Sequence, residues 1–152
     1  MTEMSVGSLS DIPSLMAVMR SAFDPAYGEA WSADQMRGAL SIPGCSLLLL
    51  SGEAQMKGFA LVRTVLDEAE LLLIAIDKTV QRQGEGQSLL DQIVQLTRDQ
   101  DIRKIHVEVR EDNPAIPFYI NFGFIKVGER PDYYRRTDGG PTKAITLSYV
   151  IK

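Results

Sequence analysis

A glycine-bearing turn at residues 81–86 constrains the fold more than any other feature of the chain. An apolar segment at 71–76 precedes the turn, and its length suits a buried strand. After the turn, apolar residues recur at helical spacing at Leu89, Leu90, Ile93 and Val94. A strand, a glycine turn and a helix in this order form a cradle for a pyrophosphate, because the free N–H groups of the first helical turn point outward and the helix dipole favours anions. The turn therefore predicts an anionic ligand.

The composition excludes several classes of protein. Of the 152 residues, 45% are hydrophobic and 24% are charged, which indicates one soluble domain over residues 1–152. The net charge of −4 argues against a nucleic-acid surface, which needs clustered Lys and Arg. Apolar runs such as 47–50 are too short to span a bilayer, and the single cysteine, Cys45, fits a reducing compartment. We therefore expect a cytoplasmic protein without a nucleic-acid or membrane partner.

Hydrophobic periodicity and turn residues predict the element order β-α-α-β-β-β-α-β-α-β-β. The predicted strands are 4–9, 46–51, 57–66, 70–76, 104–109, 124–129 and 143–150. The predicted helices are 12–23, 84–100 and 115–121. A further short helix is predicted to begin with a capping box at Ser32–Gln35 and to end near Leu40. Only the strands at 70–76 and 104–109 must be parallel, because the helix between them is a crossover. The sheet is therefore expected to be mixed and mostly antiparallel.

Two common phosphate-binding motifs do not match the turn. A P-loop needs a lysine directly after its second glycine, and Gly86 is followed by Gln87. A dinucleotide-binding loop needs a third glycine three residues after the second, in the first strand–helix unit of the chain, and here that residue is Leu89. Judged from the turn alone, a glycine-rich turn without a ligand is the alternative.

The turn, Gln81-x-x-Gly84-x-Gly86, resembles the Gln/Arg-x-x-Gly-x-Gly/Ala signature of the GNAT superfamily, which binds the pyrophosphate of acetyl-coenzyme A. Further segments resemble the RimI-type branch, the ribosomal-protein alanine N-acetyltransferases, in the expected order: 65–70, 74–77, 107–110, Phe118-Tyr119, 121–124, Tyr133-Tyr134 and 137–139. The resemblance is close from Val65 onward and looser before it, through Ala22-Phe23 and Trp31-Ser32. It implies an α/β fold with a single GNAT (acyl-CoA N-acyltransferase) domain, whose central parallel strand pair is splayed and whose mixed sheet is flanked by helices.

The resemblance also assigns cofactor-binding residues. The pyrophosphate is expected on the turn, at Arg82, Gln83, Gly84, Glu85, Gly86 and Gln87. The backbone N–H groups of Ile74, Ala75 and Ile76 are expected to hold the pantetheine arm and the acetyl oxygen. Because phosphates repel a carboxylate, the Glu85 side chain is expected to point into solvent. Asn113 is expected to contact the pantetheine. Asp112 is the alternative there, because relatives place an asparagine seven residues before the tyrosine and Asn113 lies six before Tyr119.

Two residues match the catalytic positions of the family, Glu108 as general base and Tyr119 as general acid. Strand alternation places Glu108 on one face with His106 and Arg110. The alternative for Glu108 is an ion pair with Arg110 or His106 on a solvated face, and the alternative for Tyr119 is a buried packing role. His106 is expected to be a structural partner on its strand. Four aromatic residues are predicted in loops that flank a peptide groove: Tyr27, Trp31, Tyr133 and Tyr134. A core position beside the capped helix is an equal alternative for Trp31.

The resemblance implies transfer of an acetyl group from acetyl-CoA to the N-terminal α-amine of a protein, by direct attack and without a metal. The acceptor it implies is the N-terminal alanine of a ribosomal protein. A peptide α-amine, with a pKa of about 7.7–8.0, is partly neutral at pH 7 and demands less of a carboxylate base than a lysine at about 10.4. Acetylation of lysine or of a small-molecule amine, and a non-catalytic acyl-CoA sensor, are the alternatives. We expect a monomer or weak dimer.

Overall fold

The computed structural model describes residues 3–23, 30–53, 55–81, 83–135 and 141–152, with the backbone alone for residues 132–135 and 141. Its strands are β1 Glu3–Val6, β2 Cys45–Ser51, β3 Met56–Val65, β4 Glu68–Ile76, β5 Lys104–Arg110, β6 Ile125–Arg135 and β7 Pro141–Val150. Its helices are α1 Ile12–Ala22, α2 Ala33–Leu40, α3 Glu85–Asp99 and α4 Ile116–Phe122. Single turns of 3-10 helix lie at Leu9–Asp11 and Lys78–Val80. The predicted order of strands and α-helices is confirmed.

The strands form a seven-stranded sheet in the order β1-β2-β3-β4-β5-β7-β6. Each pair of neighbours is antiparallel except β4 and β5, which are parallel because α3 carries the chain back across the sheet. The predicted mixed sheet with one parallel pair is thus confirmed.

The parallel pair β4–β5 is short. Its register runs from Glu68↔Lys104 to Leu71↔Val107 and includes no later pair among these described strands. Beyond that point β4 stays paired with β3 as far as Ile76, and β5 stays paired with β7 as far as Arg110. The two strands therefore separate, as predicted. We call the gap between residues 72–76 and residues 108–110 the splay.

Helices cover both faces of the sheet. One face packs against α3, which buries the predicted stripe of Leu89, Leu90, Ile93 and Val94. The other face packs against α1 and α2. A strand covered on both faces is apolar throughout instead of alternating, which explains the run of buried leucines at 47–50 in β2. Among the described residues, no helix is long and apolar enough to cross a bilayer.

The last hairpin differs from the prediction. Strand β6 extends to Arg135 and does not end at Glu129, so Tyr133 and Tyr134 belong to a strand and not to a loop. Pro131 and Asp132 are typical turn residues, and on that ground the prediction ended the strand too early. However, β6 lies at the edge of the sheet, where a proline is tolerated because one side of the strand needs no ladder hydrogen bonds. Pairing with β7 shifts register between Arg130 and Tyr134.

Candidate functional site

The end of β4 is tied to the turn that follows it. The Asp77 carboxylate accepts hydrogen bonds from the hydroxyl and the backbone N–H of Thr79, at 2.7 and 2.9 Å, and these bonds hold the pKa of Asp77 below its usual value. Gln81, the first residue of the signature, donates from Nε2 to the carbonyl oxygen of Ile76 at 2.9 Å. This amide closes the turn onto the strand and fixes where α3 begins.

The two glycines of the signature have different roles. Gly84 is the N-cap of α3 with φ of +81°, a conformation that favours glycine, and a Cβ built there meets no described atom within 4 Å. At Gly86 a Cβ would lie 3.1 Å from Cζ of Phe118, so this glycine lets α4 approach the first turn of α3. The N–H groups of residues 85–87 have no acceptor within the helix. Open space at Gly84 beside these donors suits an anion.

The prediction that Glu85 points into solvent is wrong. Its side chain is only 14% exposed, and Oε1 lies 3.2 Å from Nζ of Lys57 on β3. The first turn of α3 lies over the sheet, so the residue that opens the helix faces β3. Gln83 and Gln87 are exposed, and Arg82 lies outside the described residues.

Ile74, Ala75 and Ile76 pair with β3 through one edge of β4. The other edge faces the splay, where the described strands form no ladder with β4. An extended ligand can bind such an edge as an additional strand, through backbone hydrogen bonds.

Glu108 lies at the point where the strands separate, directly after Val107, the last residue of β5 that pairs with β4. Its carboxylate is 21% exposed and bound by Arg130 of β6. The guanidinium donates from Nε to Oε2 at 3.0 Å and from a terminal nitrogen to Oε1 at 2.6 Å. This geometry holds the carboxylate in one orientation.

The ion pairs that the sequence suggested as alternatives for Glu108 are not the ones seen. Arg110 is 2% exposed and binds Asp112, with 3.1 Å between Nε and Oδ1. His106 binds Ser148 and Glu68. Sequence reasoning missed Arg130, because its distance from Glu108 along the chain carries no signal. The two meet only because β7 lies between β5 and β6.

His106 links three strands away from the splay. Its Nδ1 shares a short hydrogen bond with the Ser148 hydroxyl on β7, and its Nε2 lies 2.8 Å from Oε1 of Glu68 on β4. The hydrogen bond and the charge of His106 lower the pKa of the Glu68 carboxyl. The imidazole therefore holds together the paired part of the parallel strands.

We expect this contact to make stability depend on pH. A carboxyl whose pKa is lower in the folded state stabilises the fold above its unfolded pKa, about 4.3 for glutamate, and loses that contribution as pH falls through the folded value. In urea unfolding, wild type should therefore exceed Glu68→Gln in unfolding free energy at pH 6. The difference should shrink from pH 4.5 downward. A difference that grows on acidification would contradict this assignment.

Tyr119 lies in α4, and Asn113 lies in the turn before this helix. Tyr119 is 4% exposed in the core cluster, with its ring centroid 5.4 Å from that of Phe118. The Asn113 side-chain oxygen accepts the N–H of Ala115 at 2.7 Å, in a turn that leads into α4. Asp112 is engaged by the buried Arg110. The side chains of Asn113 and Asp112 are thus both engaged, and the choice of Asn113 for the pantetheine position stays a prediction.

The aromatic residues predicted to line a peptide groove are only partly described. Trp31 is partly buried and packs one side against the core beneath α1 and α2. The capping box directly after it is confirmed: Ser32 and Gln35 exchange hydrogen bonds of 2.7 and 3.1 Å. Tyr27 lies outside the described residues, and Tyr133 and Tyr134 are described by their backbone in β6. Within the described part of the chain, no cluster of three or more His, Cys, Asp or Glu residues is suited to a metal ion.

Comparison with known proteins gives consistent results. The family described as "Acetyltransferase (GNAT) domain" matches residues 20–135. The [ribosomal protein bS18]-alanine N-acetyltransferase of Haemophilus influenzae is 38% identical over 94 residues, which are 62% of this chain and 64% of that protein. The Salmonella typhimurium protein of the same name is 30% identical over 140 residues, 91% of each chain. The crystal structure of the ribosomal-protein-S18-alanine N-acetyltransferase from Escherichia coli superposes with a TM-score of 0.89 at 29% identity, covering 100% of this chain and 95% of that one.

Proposed function

The chain belongs to the GNAT acetyltransferase family, and from that premise we propose that it transfers an acetyl group from acetyl-CoA to the N-terminal α-amine of a protein. The observation that carries this proposal is the position of Glu108, next to the last pair of the two parallel strands. A carboxylate there lies beside the open edge of β4, along which an extended thioester can bind. The glycine turn at the start of α3 follows the same end of β4.

The described residues fit acetyl-CoA as co-substrate. The diphosphate would be held by the N–H groups that open α3, and the pantetheine arm by the edge of β4 at 74–76, with the amide of Asn113 nearby. The N–H groups of that edge would also bind the negative oxygen that develops on the acetyl carbon. Phe118 closes one side of the turn by packing on Gly86.

The proposed reaction is a direct attack. The amine nitrogen bonds to the acetyl carbon while the carbon–sulfur bond breaks, Glu108 takes the proton of the amine, directly or through one water, and Tyr119 returns a proton to the departing thiolate. Glu108 lies on the face of the sheet opposite α3 and α4, by alternation with Val107 and Val109. The base and the acid therefore approach the thioester from different sides. Arg130 orients the carboxylate of the base.

We propose an N-terminal alanine, as in a ribosomal protein, for the acceptor. The relatives named as alanine N-acetyltransferases of protein bS18 support this choice. A peptide α-amine also suits a single carboxylate base, because about a tenth of it is neutral at pH 7. We propose that the groove for the acceptor peptide would be lined by four aromatic residues: Tyr27, Trp31, Tyr133 and Tyr134.

A peptide panel tests the proposal. Purified protein and acetyl-CoA are incubated with peptides of identical body that begin with free Ala, Ser or Met, and with an N-terminally blocked peptide whose only amine is a lysine. Mass spectrometry should find acetyl groups on the free Ala peptide first and none on the blocked peptide. Acetylation of the blocked peptide would identify a lysine enzyme. Binding of acetyl-CoA with no acetylated product on the panel or on small amines would identify a sensor.

A further inference from the structure

The ion pair between Lys57 and Glu85 joins strand β3 to the first residue of α3. Nζ of Lys57 lies 3.2 Å from Oε1 of Glu85, and the two side chains are 22% and 14% exposed. Both charges are therefore largely withdrawn from water. Lys57 belongs to none of the segments that resemble the family, so sequence comparison alone assigns it no part in the site.

Glu85 presents an electrostatic problem for the proposed function. Its backbone N–H belongs to the group of donors that would bind the diphosphate, yet its side chain carries a negative charge. A carboxylate in the first turn of a helix interacts favourably with the same dipole that attracts an anionic ligand, so it competes with that ligand. A like charge close to the diphosphate also repels it directly.

The Glu85 carboxylate is directed away from the open end of the glycine turn. Glu85 faces β3 and also lines a cavity of about 330 Å³ together with Met4 of β1 and Leu50 of β2. Gly86, the next residue and about 100° further around α3, faces Phe118 and Ile76. The carboxylate thus lies on the β2–β3 side of the helix, away from the splay, where the Lys57 ammonium meets it.

We propose that Lys57 is a positioning residue of the cofactor site. It holds the Glu85 carboxylate against β3 and neutralises it, so that the start of α3 remains attractive to the diphosphate of acetyl-CoA. This inference rests on the proposed function, because it assumes that acetyl-CoA binds at this turn. Lys57 acts through Glu85 and needs no contact with the ligand.

A mutant cycle with two ligands tests the proposal. Dissociation constants for acetyl-CoA are measured by calorimetry for wild type, Lys57→Met, Glu85→Gln and the double variant. Lys57→Met should weaken binding about tenfold, because it removes the positive charge that faces the Glu85 carboxylate. Glu85→Gln should bind at least as tightly as wild type. The double variant should return to within about twofold of wild type, since both charges are absent.

The second ligand is S-acetylpantetheine, which lacks the diphosphate. Lys57→Met should change the kcat/KM of S-acetylpantetheine with the free-alanine peptide much less than it changes the dissociation constant of acetyl-CoA, because no phosphate charge is present to be repelled. Melting temperatures without ligand report any loss of fold. Equal losses for acetyl-CoA and S-acetylpantetheine in Lys57→Met, or no rescue by Glu85→Gln, would overturn the proposal and leave a purely structural ion pair. Absence of acetyl-CoA binding by wild type would instead refute the proposed function.

Discussion

Replacing Glu108 by glutamine should lower kcat for acetylation of an alanine peptide by about a hundredfold, the lower range for loss of a general base. Glutamine keeps the shape of the side chain and its oxygen can still accept a hydrogen bond from Arg130, but the amide does not take up a proton from the amine. Affinity for acetyl-CoA should stay unchanged, because the proposed cofactor contacts come from β4, α3 and Asn113 and do not include the Glu108 side chain. The measurements are thiol release under saturating substrates and calorimetric titration with acetyl-CoA.

Glu129→Gln is the matched control for this prediction. Glu129 lies on β6 next to Arg130, is 41% exposed and contacts Lys126 at 2.9 Å and Lys143 at 3.6 Å. The chemical change is the same, on a carboxylate outside the proposed site, so kcat should stay at the wild-type level. If Glu108→Gln retains full kcat, or loses cofactor affinity and kcat in equal measure, the role assigned to Glu108 is wrong.

Replacing Gly84 by valine should abolish the protection against heat that acetyl-CoA confers. The φ of +81° at this position strains a β-branched residue by about 1–3 kcal/mol, so the turn must rearrange. If the turn kept its conformation, the valine side chain would occupy the open space through which a diphosphate reaches the N–H groups of α3. A ligand present at a hundred times its dissociation constant stabilises wild type by about 2.7 kcal/mol, which thermal unfolding detects.

Gly38→Val controls for the loss of a glycine. Gly38 lies in α2, and a Cβ built there meets no described atom within 4 Å and has no unfavourable φ. Valine is a better helix former than glycine, so this variant should melt at least as high as wild type and keep the full shift with acetyl-CoA. If coenzyme A still protects Gly84→Val, the turn at residues 81–86 is not the cofactor site.

The amino-acid sequence was sufficient for the features that depend on local patterns. The helical stripe of α3, the capping box at Ser32 and the crossover that makes β4 and β5 parallel each follow from residues close together in the chain. The glycine turn also carries its own signal, because the backbone at Gly84 needs a residue without a side chain. These features were enough to predict a mixed sheet with one parallel pair. The GNAT domain and the site residues were predicted from the resemblance of the motifs to the family, and the roles of the site residues stay predictions.

Only the tertiary structure decided which charges meet. Glu108 binds Arg130 and Glu85 binds Lys57, pairs separated by 22 and 28 positions along the chain. Such partners are determined by the order of strands in the sheet and by the packing of α3 against β3. No local sequence pattern encodes either of these. The extension of β6 through Pro131 has the same origin, since an edge position removes the need for a ladder hydrogen bond. Local propensities act between near neighbours in the chain, whereas the partner of a buried charge is set by packing across the whole sheet.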